Sequence, residues 1–360
     1  MYFQMLKEGF SLDSGSLKNE PMIPKSEFIT IDNNLEKIEA FINEIIIAPK
    51  HALKRWAVIT NQTPAAKIGY IGQHLTSLIT GVQGTGSGAR GDDLADGSEV
   101  KSCNKVDQAD KCKECGARVL RFEERCSACG SDKIERKDDS KWLFTIRDDH
   151  ELKQYLNMDR VVLLLMDYPN FDKGDFKDIR ISVFEIYPKE DRMKVFNYLI
   201  SNHYYKIYLP KLKANLKTNP MNLHPWSFQF YKCNPIKTFE CIIKDIDTNP
   251  VVIIDRDHYI QPETNRDNTL APLPMPSNLL KNKEWQEMLD KADYETEVAP
   301  LLNLDFLKKK KLANLNKDQF SQLNKKDKSL ALPLLDQKLR DYISLRPIIS
   351  VRQKEHYQRG

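Results

Sequence analysis

Two pairs of cysteines limit most strongly what this chain can fold into. They are Cys112 with Cys115 and Cys126 with Cys129, each spaced C-x-x-C, each followed by glycine, and separated by ten residues. Four thiolates at this spacing suit tetrahedral Zn²⁺, and the glycines let backbone N–H groups turn toward sulfur. A redox pair is the competing interpretation, but the surroundings do not resemble thioredoxin. We predict a closed, structural zinc knuckle inserted at residues 103–136.

The other cysteines and the composition indicate a folded protein from a reducing compartment. The chain has 360 residues and seven cysteines, of which Cys103, Cys233 and Cys241 are expected to be buried thiols. No apolar run approaches the roughly 20 residues that cross a bilayer, and the first residues do not resemble a secretion signal. We predict a cytoplasmic protein with no membrane partner. Residues 1–33 are predicted to be an N-terminal arm, whose residues 1–4 resemble the remnant of an expression tag.

The segment between Asp92 and Lys101 carries the most informative polar side chains. It follows a loop with five glycines in eleven residues. Asp96-Gly97 is a strong signal for a two-residue hairpin turn, and the residues from Glu99 onward alternate as a strand does. Such a hairpin pairs Asp92 with Lys101. Because side chains alternate between faces, it places Asp92 on one face with Glu99 and Lys101.

This set of side chains suits phosphodiester cleavage. Two carboxylates, Asp92 and Glu99, supply oxygen ligands for Mg²⁺ and leave positions for water and a phosphate oxygen. The Lys101 ammonium can orient or help deprotonate the attacking water and offset charge that develops on phosphate. A bulge or a three-residue turn would exchange the two aspartates, so Asp93 is the alternative to Asp92. An acidic surface hairpin without catalysis is the other interpretation, since an E-x-K triplet is common by chance.

Asp92 followed by Glu99-Val100-Lys101 resembles the PD-(D/E)XK motif of many restriction enzymes, although glycine stands where proline is usual. The wider run from residue 88 to residue 108 and on into the knuckle resembles the MamI-like type II restriction endonucleases. That resemblance covers mainly residues 60–130. It implies Mg²⁺-dependent, sequence-specific cleavage of double-stranded DNA by a homodimer, with Asp92, Glu99 and Lys101 as the catalytic set. It also implies a cognate DNA methyltransferase in the host.

The remaining pattern predicts an α/β (α+β) fold. Helical periodicity covers residues 34–80 and 148–157. Strands are expected at residues 142–146, 161–166, 179–186 and 251–254. The second of these is continuously apolar, which suits a buried central strand. The fold class is therefore a PD-(D/E)XK nuclease core of a mixed sheet flanked by helices, with an inserted four-cysteine zinc knuckle and a helical C-terminal region.

The predicted domain division follows the same pattern. A nuclease core is expected at residues 34–187, and a continuation of it or a DNA-recognition region at residues 188–271. The proline-rich residues 272–276 suit a linker or a domain edge, because proline cannot continue a helix or a central strand. A basic helical region is expected at residues 277–360, where residues 281–360 contain 17 Lys and Arg against 12 Asp and Glu.

Basic residues near the two motifs are candidates for contacting DNA phosphates. Arg90 precedes the acidic segment, Lys105 follows it, and Lys113 and Arg118 lie within the knuckle. The net charge of +4 does not by itself establish a polyanionic partner. Whether the knuckle contacts DNA or only braces a loop beside the acidic segment is left open.

Two other functions share parts of this pattern. A zinc-ribbon DNA-binding or interaction protein would carry the acidic hairpin incidentally and would lose nothing on Glu99→Ala. A repair or structure-selective nuclease would cut mismatched or branched DNA and leave intact duplex alone. A Walker A loop, an H-E-x-x-H helix motif and a G-x-S-x-G elbow are absent, which disfavours a nucleotide-driven motor, a zincin protease and an elbow-type hydrolase.

Overall fold

The computed structural model describes residues 22–32, 34–86, 92–190, 194–267, 272–312 and 315–346. Within these ranges the strands are β1 Glu99–Asn104, β2 Asp110–Cys112, β3 Arg118–Val119, β4 Ile134–Glu135, β5 Trp142–Phe144, β6 Val161–Asp167, β7 Ile179–Ile186, β8 Met221–Leu223, β9 Ile236–Lys244, β10 Val251–Ile254, β11 Met275–Pro276 and β12 Leu334–Leu335. The helices are α1 Leu35–Phe41, α2 Ala48–Thr60, α3 Ile68–Thr80, α4 Asp149–Asn157, α5 Val195–His203, α6 Leu209–Lys213, α7 Phe228–Lys232, α8 Asn282–Lys291, α9 Leu304–Lys309, α10 Lys317–Gln322, α11 Lys325–Ala331 and α12 Gln337–Asp341. π-Helical turns lie at Ile42–Ile47, Tyr204–Tyr208 and Tyr294–Val298. No helix in these ranges is long and apolar enough to cross a bilayer.

A five-stranded mixed sheet is the centre of the fold. Its strand order is β1, β6, β7, β9, β10, with β1 and β6 parallel and the other neighbours antiparallel. Along β6, Val161 and Leu163 face one layer of the core, whereas Val162 and Leu164 face the other. A strand covered on both faces needs apolar residues on both of them, which explains the unbroken apolar run of residues 161–166. The predicted mixed sheet flanked by helices, with β6 as a buried interior strand, is confirmed.

Helices α1 to α3 cover one face of the sheet. α1 continues through a π-helical turn into α2, and the isoleucines of α1 and this turn share a core with Leu75 of α3. α3 lies directly against β1. A Cβ added at Gly72 of α3 would lie 1.9 Å from Ser102 Oγ and 2.9 Å from Ser102 Cβ, so rotating the hydroxyl would not remove the overlap. Glycine therefore sets how closely α3 approaches the strand that carries the E-x-K triplet.

We expect Gly72→Ala to lower the free energy of unfolding by about 1–3 kcal/mol, because the methyl group would force the helix and strand apart where they pack closely. Gly69→Ala is the matched control, since it lies in the same helix and an added Cβ there meets no atom within 4 Å. The control should be neutral or stabilising by up to about 1 kcal/mol, because alanine is the better helix former. Urea denaturation measures both variants. Unchanged stability of Gly72→Ala would contradict the close approach.

The opposite face of the sheet is covered by α4, α5 and the C-terminal elements, which share one hydrophobic cluster. Phe184, Trp226 and Phe230 pack edge to face within it, with ring centroids 5.1 to 5.8 Å apart. Residues 272–276, predicted to be a linker or a domain edge, pack against the C-terminal region, because Met275 is fully buried and pairs with Leu335 of β12. The C-terminal region thus packs into the same core as the sheet, while the domain boundaries themselves remain predictions.

The cysteine segment forms a small module beside the main sheet. Within it, β2 lies between β3 and β4 in a three-stranded sheet. The Arg121 guanidinium lies 4.9 Å from the ring centroids of Phe171 and Phe176 and 3.0 Å from the Asp110 carboxylate. Arg121 and Asp110 are both buried. This contact fixes the module against the loop between β6 and β7.

Candidate active site and metal centre

The turn before β1 differs from the predicted two-residue hairpin. Gly97 N–H donates to the Leu94 carbonyl at 3.0 Å, and Leu94 N–H donates to the Ser98 carbonyl at 3.1 Å. The loop therefore holds three residues, and its last, Gly97, has a φ of 82°, which glycine adopts readily. A three-residue loop shifts the register by one and exchanges the two aspartates. The predicted pairing of the two ends of the segment is wrong.

Asp93 is consequently the aspartate that lies beside β1. Its Oδ2 accepts a hydrogen bond from Val100 N–H at 2.8 Å, and its Oδ1 accepts one from Gln73 Nε2 of α3 at 2.5 Å. The charges of Glu99 and Lys101 both act on its carboxyl group. The structure therefore brings Asp93 together with the other two members of the predicted set.

Asp92, the first choice from the sequence, is one residue out of this register. Asp92 is exposed, and its backbone carbonyl accepts a hydrogen bond from the Thr85 hydroxyl at 2.6 Å. Because neighbouring residues of an extended segment point to opposite faces, Asp92 does not share the face of Asp93. The geometry thus favours the alternative aspartate over the first choice.

Glu99 and Lys101 lie on the same face of β1 and form an ion pair. The Glu99 side chain is nearly buried, while about a quarter of the Lys101 side chain remains exposed. Tyr155 of α4 donates its hydroxyl to Glu99 Oε1 in a long hydrogen bond of 3.4 Å. Its ring packs edge-on against Phe144, with centroids 5.7 Å apart. Glu99 is thus held between an ammonium and a tyrosine hydroxyl.

The closeness of the Asp93 and Glu99 carboxyl groups and the Lys101 ammonium shifts the pKa values of Asp93 and Lys101. Burial and the charge of Glu99 raise the pKa of Asp93 to about 6. Burial lowers the pKa of Lys101, but the charge of Glu99 and its hydrogen bond outweigh burial, so the pKa of Lys101 lies above its ordinary value. Lys101 is therefore an ammonium at neutral pH. Two carboxyl groups that repel each other form a position where a cation is electrostatically favoured.

Arg160 connects the turn to the interior of the sheet. Its Nη2 donates to Asp96 Oδ2 at 2.6 Å, its Nε to Ser98 Oγ at 2.9 Å, and its Nη1 to Glu185 Oε1 at 3.3 Å. Glu185 of β7 also accepts from Arg266 Nε at 3.0 Å. All five side chains are buried. This network fixes the turn that carries the two aspartates.

The network makes part of the stability dependent on pH. Burial would raise the pKa of Glu185, but the cationic Arg266 and Arg160 outweigh it and hold that pKa at about 2, below the ordinary 4.5. The stabilisation is therefore complete above pH 4.5 and is lost as the pH falls toward 2, about 3 kcal/mol in all. We expect the difference in unfolding free energy between the native chain and Glu185→Gln to shrink across this range.

Urea denaturation at several acidic pH values measures this difference. Glu39→Gln, which changes an exposed carboxylate, is the matched control and should leave the acid limb of the stability curve unchanged. A difference between the native chain and Glu185→Gln that stays constant across the range would contradict the lowered pKa of Glu185.

The four cysteines of the knuckle converge as predicted. Their sulfur atoms all lie within 4.8 Å of one another, and the two closest pairs are 3.6 Å apart. Four thiolates around Zn²⁺, each about 2.3 Å from the metal, lie about 3.8 Å apart, so the spacing suits that ion. In the part of the chain that the structure describes, no other group of three or more His, Cys, Asp or Glu side chains converges in this way.

The backbone around these cysteines explains their convergence. Gly116 and Gly130 each follow a C-x-x-C pair with φ values of 75° and 74°. Their N–H groups donate to the carbonyls of Cys112 and Cys126, which closes two equivalent turns. Hydrogen bonds from the backbone N–H groups of the first turn lower the pKa of Cys112, whereas hydrogen bonds among the four thiols raise the pKa of Cys129. The expected buried thiols at Cys103, Cys233 and Cys241 are also confirmed.

The four basic residues proposed as DNA contacts have different surroundings. Arg90 lies outside the described residues. Lys105 is fully buried with Nζ 3.0 Å from Asp138, so the expectation that Lys105 reaches phosphate is wrong. Lys113 and Arg118 are exposed on the knuckle. Their contact with DNA stays a prediction.

Three residues of this site were not identified from the sequence. Gln73 and Tyr155 lie on helices, and nothing in either helix pattern marks these positions, because their partners are distant in the chain. Arg160 has a weak local signal, since it is a charged residue immediately before the apolar run of residues 161–166. Such a residue is buried only when it has partners, which a single sequence does not reveal.

The fold and the site together define a class of protein. A mixed sheet flanked by helices, with two neighbouring carboxyl groups and a lysine at its edge strand, is the arrangement expected of a PD-(D/E)XK nuclease core. The family model of the MamI restriction endonuclease matches residues 55–278, which is more than half of the chain. The chain therefore belongs to the MamI restriction endonuclease family, as its motifs indicated.

One relative shows how far this similarity extends. The type II restriction enzyme MamI of Microbacterium ammoniaphilum is 33% identical to this chain over 139 residues. The match covers 39% of this chain and 40% of that enzyme, so it spans less than half of the relative's length. No solved structure matches this chain.

Proposed function

We propose that this protein is a type II restriction endonuclease that makes Mg²⁺-dependent, sequence-specific double-strand cuts in DNA. The observation that carries the proposal is that the carboxyl groups of Asp93 and Glu99 lie close together beside Lys101, at the edge strand of the sheet. Membership of the MamI family supports it, and the relative from Microbacterium ammoniaphilum is itself named a type II restriction enzyme.

Asp93 and Glu99 are the residues that would hold Mg²⁺, with Asp92 as the alternative to Asp93. Mg²⁺ held by these carboxylates would polarise the scissile phosphate and would lower the pKa of the attacking water. Carboxylate oxygens are the ligands that Mg²⁺ prefers. The repulsion that raises the pKa of Asp93 to about 6 supports the fit, because a divalent cation offsets it. Gln73 orients Asp93, and Tyr155 orients Glu99.

Lys101 acts as a cation in this proposal. Burial lowers its pKa, but the negative charge of Glu99 outweighs burial, so Lys101 is an ammonium at neutral pH. Its partly exposed ammonium can donate hydrogen bonds to the attacking water and to a phosphate oxygen. It therefore orients the nucleophile and offsets the negative charge that develops on the phosphate during attack.

We further propose that the knuckle binds one structural Zn²⁺ through Cys112, Cys115, Cys126 and Cys129. Four protein thiolates complete a tetrahedral shell and leave no position for a substrate, which is the difference between structural and catalytic zinc sites. Apart from two of these cysteines, the hydrophobic cluster of the module contains only Ala117, Val119 and Ile134. A metal is therefore the main source of its folding energy.

Metal analysis of the purified protein tests the zinc assignment. We expect one zinc ion per chain, and we expect Cys126→Ala to release it and to lower the thermal stability of the module. Cys103→Ala, which changes a buried cysteine outside the cluster, should keep its zinc. Absence of zinc from the native protein, or equal zinc in Cys126→Ala, would sink the assignment.

The partners follow from the reaction. Double-stranded DNA is the substrate, and because cutting both strands uses two active sites, we propose a homodimer related by a two-fold axis. A cognate DNA methyltransferase would protect the same sites in the host. The proposed compartment is the cytoplasm, where thiolates stay reduced and available for zinc.

Digestion of long duplex DNA tests the proposed function. We expect discrete fragments in the presence of Mg²⁺ and intact DNA when Mg²⁺ is omitted. Omission is a better control than chelation, because a chelator can also remove zinc from the knuckle. Cleavage of only mismatched or branched DNA would favour a repair nuclease instead. DNA binding with no cleavage of any substrate would favour a zinc-ribbon binding protein.

A further inference from the structure

A long stretch of the chain contains no acidic residue at all. Residues 192–239 include eight Lys and Arg and neither Asp nor Glu, although the chain as a whole has 55 basic and 51 acidic residues. The excess of basic over acidic residues here is larger than in residues 281–360, where acidic residues are interspersed with the lysines. A concentration of one charge sign is the footprint of a polyanion partner when the charges share one surface.

The middle of this stretch forms one continuous helical segment. α5 continues through the π-helical turn Tyr204–Tyr208 into α6, whose C-terminus is closed by Asn215 with a φ of 52°. Leu216 N–H donates to the Lys211 carbonyl at 2.9 Å across this cap. We call residues 205–217 the basic arm. Its backbone is held by these local bonds, so its side chains project from a defined support.

The outer side chains of the basic arm are lysines and apolar residues. Lys206, Lys213 and Lys217 are exposed and Lys211 is half-buried. None of the four ammonium groups pairs with a carboxylate among the residues that the structure describes. Tyr205, Leu212 and Leu216 on the same arm are 38%, 48% and 61% exposed. The lysines of the C-terminal run differ, since Lys310 pairs with Asp327 at 3.4 Å.

Helix α4 connects the basic arm with the candidate active site. α5 packs on α4, and the Tyr204 hydroxyl at the base of the arm bonds to Asp149 at the start of α4. Six residues further along the same helix, Tyr155 bonds to Glu99. At a rise of about 1.5 Å per residue, these two positions are about 9 Å apart along the helix axis. The base of the basic arm is therefore attached to the same helix that contacts Glu99.

We propose that the basic arm binds the sugar-phosphate backbone of duplex DNA beside the scissile phosphate, through Lys206, Lys211, Lys213 and Lys217. The inference rests on the proposed nuclease function and names the surface that holds its substrate. Ammonium groups contact phosphates without reading bases, so the arm contributes affinity and register rather than sequence recognition. Tyr205 can donate its hydroxyl to a phosphate oxygen at the same surface.

Salt dependence of DNA binding tests this inference. Replacing the four lysines by alanine should make the plot of log affinity against log salt concentration less steep, by about 0.9 for each phosphate that the arm neutralises. The same replacement should weaken binding equally for duplexes of unrelated sequence. Replacing them by arginine should preserve the slope. Binding is measured without Mg²⁺, so that no DNA is cut. The control removes the same number of charges at Lys308, Lys309, Lys310 and Lys311, and should change the slope little.

Each outcome separates this inference from the proposed function. Native protein that neither binds nor cuts duplex DNA would overturn the proposed function itself. Native protein that binds and cuts, together with an unchanged slope in the alanine variant, would overturn only the role of the basic arm. A reduced slope in the Lys308 to Lys311 control instead, or weakening confined to one duplex sequence, would also overturn it. Matching circular dichroism spectra exclude misfolding as the cause of any weaker binding.

Discussion

Asp93→Asn is expected to reduce the rate of duplex cleavage by about 10²- to 10³-fold, the range for removing one group that stabilises charge in a transition state. Asparagine keeps the size of the side chain and still accepts the hydrogen bond from Val100 N–H, so the turn should keep its structure. It removes one of the two negative charges that favour a divalent cation. The decrease should appear in the rate of cleavage at saturating DNA, and raising the Mg²⁺ concentration should restore part of the rate.

Asp92→Asn is the matched control for this prediction. It makes the same chemical change one residue away, on an exposed aspartate that the three-residue turn directs to the other face. We expect cleavage within a few-fold of the native rate. The opposite result, an inactive Asp92→Asn with an active Asp93→Asn, would show that the register of the turn is not the one that positions the catalytic carboxylate.

Arg160→Met is expected to lower the free energy of unfolding by about 3–5 kcal/mol, because removing one partner of a buried ion pair leaves the other charge unpaired in the interior. Arg160 is the buried cation between Asp96 of the turn and Glu185 of the sheet. Methionine fills much of the same volume, so the destabilisation reports charge and hydrogen bonds rather than a cavity. Since Arg266 still pairs with Glu185, Asp96 is the carboxylate most affected.

Lys189→Met provides the control for Arg160→Met. Lys189 pairs with Asp159, but both side chains are exposed, and such pairs contribute about 0–1 kcal/mol. Guanidinium denaturation of the two variants gives the comparison. A destabilisation by Arg160→Met as small as that by Lys189→Met would contradict the view that a buried network fixes the turn.

The sheet was predictable from the sequence wherever burial imposed a simple pattern. The apolar run of β6 is buried on both faces, and the strand at Ile179–Ile186 and the helix at Asp149–Asn157 lie where the periodicity indicated. The convergence of the four cysteines was predictable for a different reason, since a metal-binding motif fixes residue type and spacing together. The packing of residues 272–276 was not predictable. Three prolines exclude a helix or a central strand, but they do not indicate whether the segment is buried or exposed.

The site was predictable only in part. The E-x-K triplet on a predicted strand identified Glu99 and Lys101. Which of the two adjacent aspartates joins them depends on whether the turn contains two residues or three. Asp-Gly occurs in two-residue turns and also ends three-residue loops, in which glycine takes the last position with positive φ. Gln73 and Tyr155 come from separate helices and meet the carboxylates only in the folded chain.

The most direct test of the account is cleavage of a supercoiled plasmid by the native protein and by Glu99→Gln, each with Mg²⁺ and without it. We expect the native protein with Mg²⁺ to convert the plasmid to defined linear fragments, and we expect Glu99→Gln to bind the plasmid without cutting it. Cleavage by Glu99→Gln at the native rate would contradict the claim that the reaction takes place at the edge of β1.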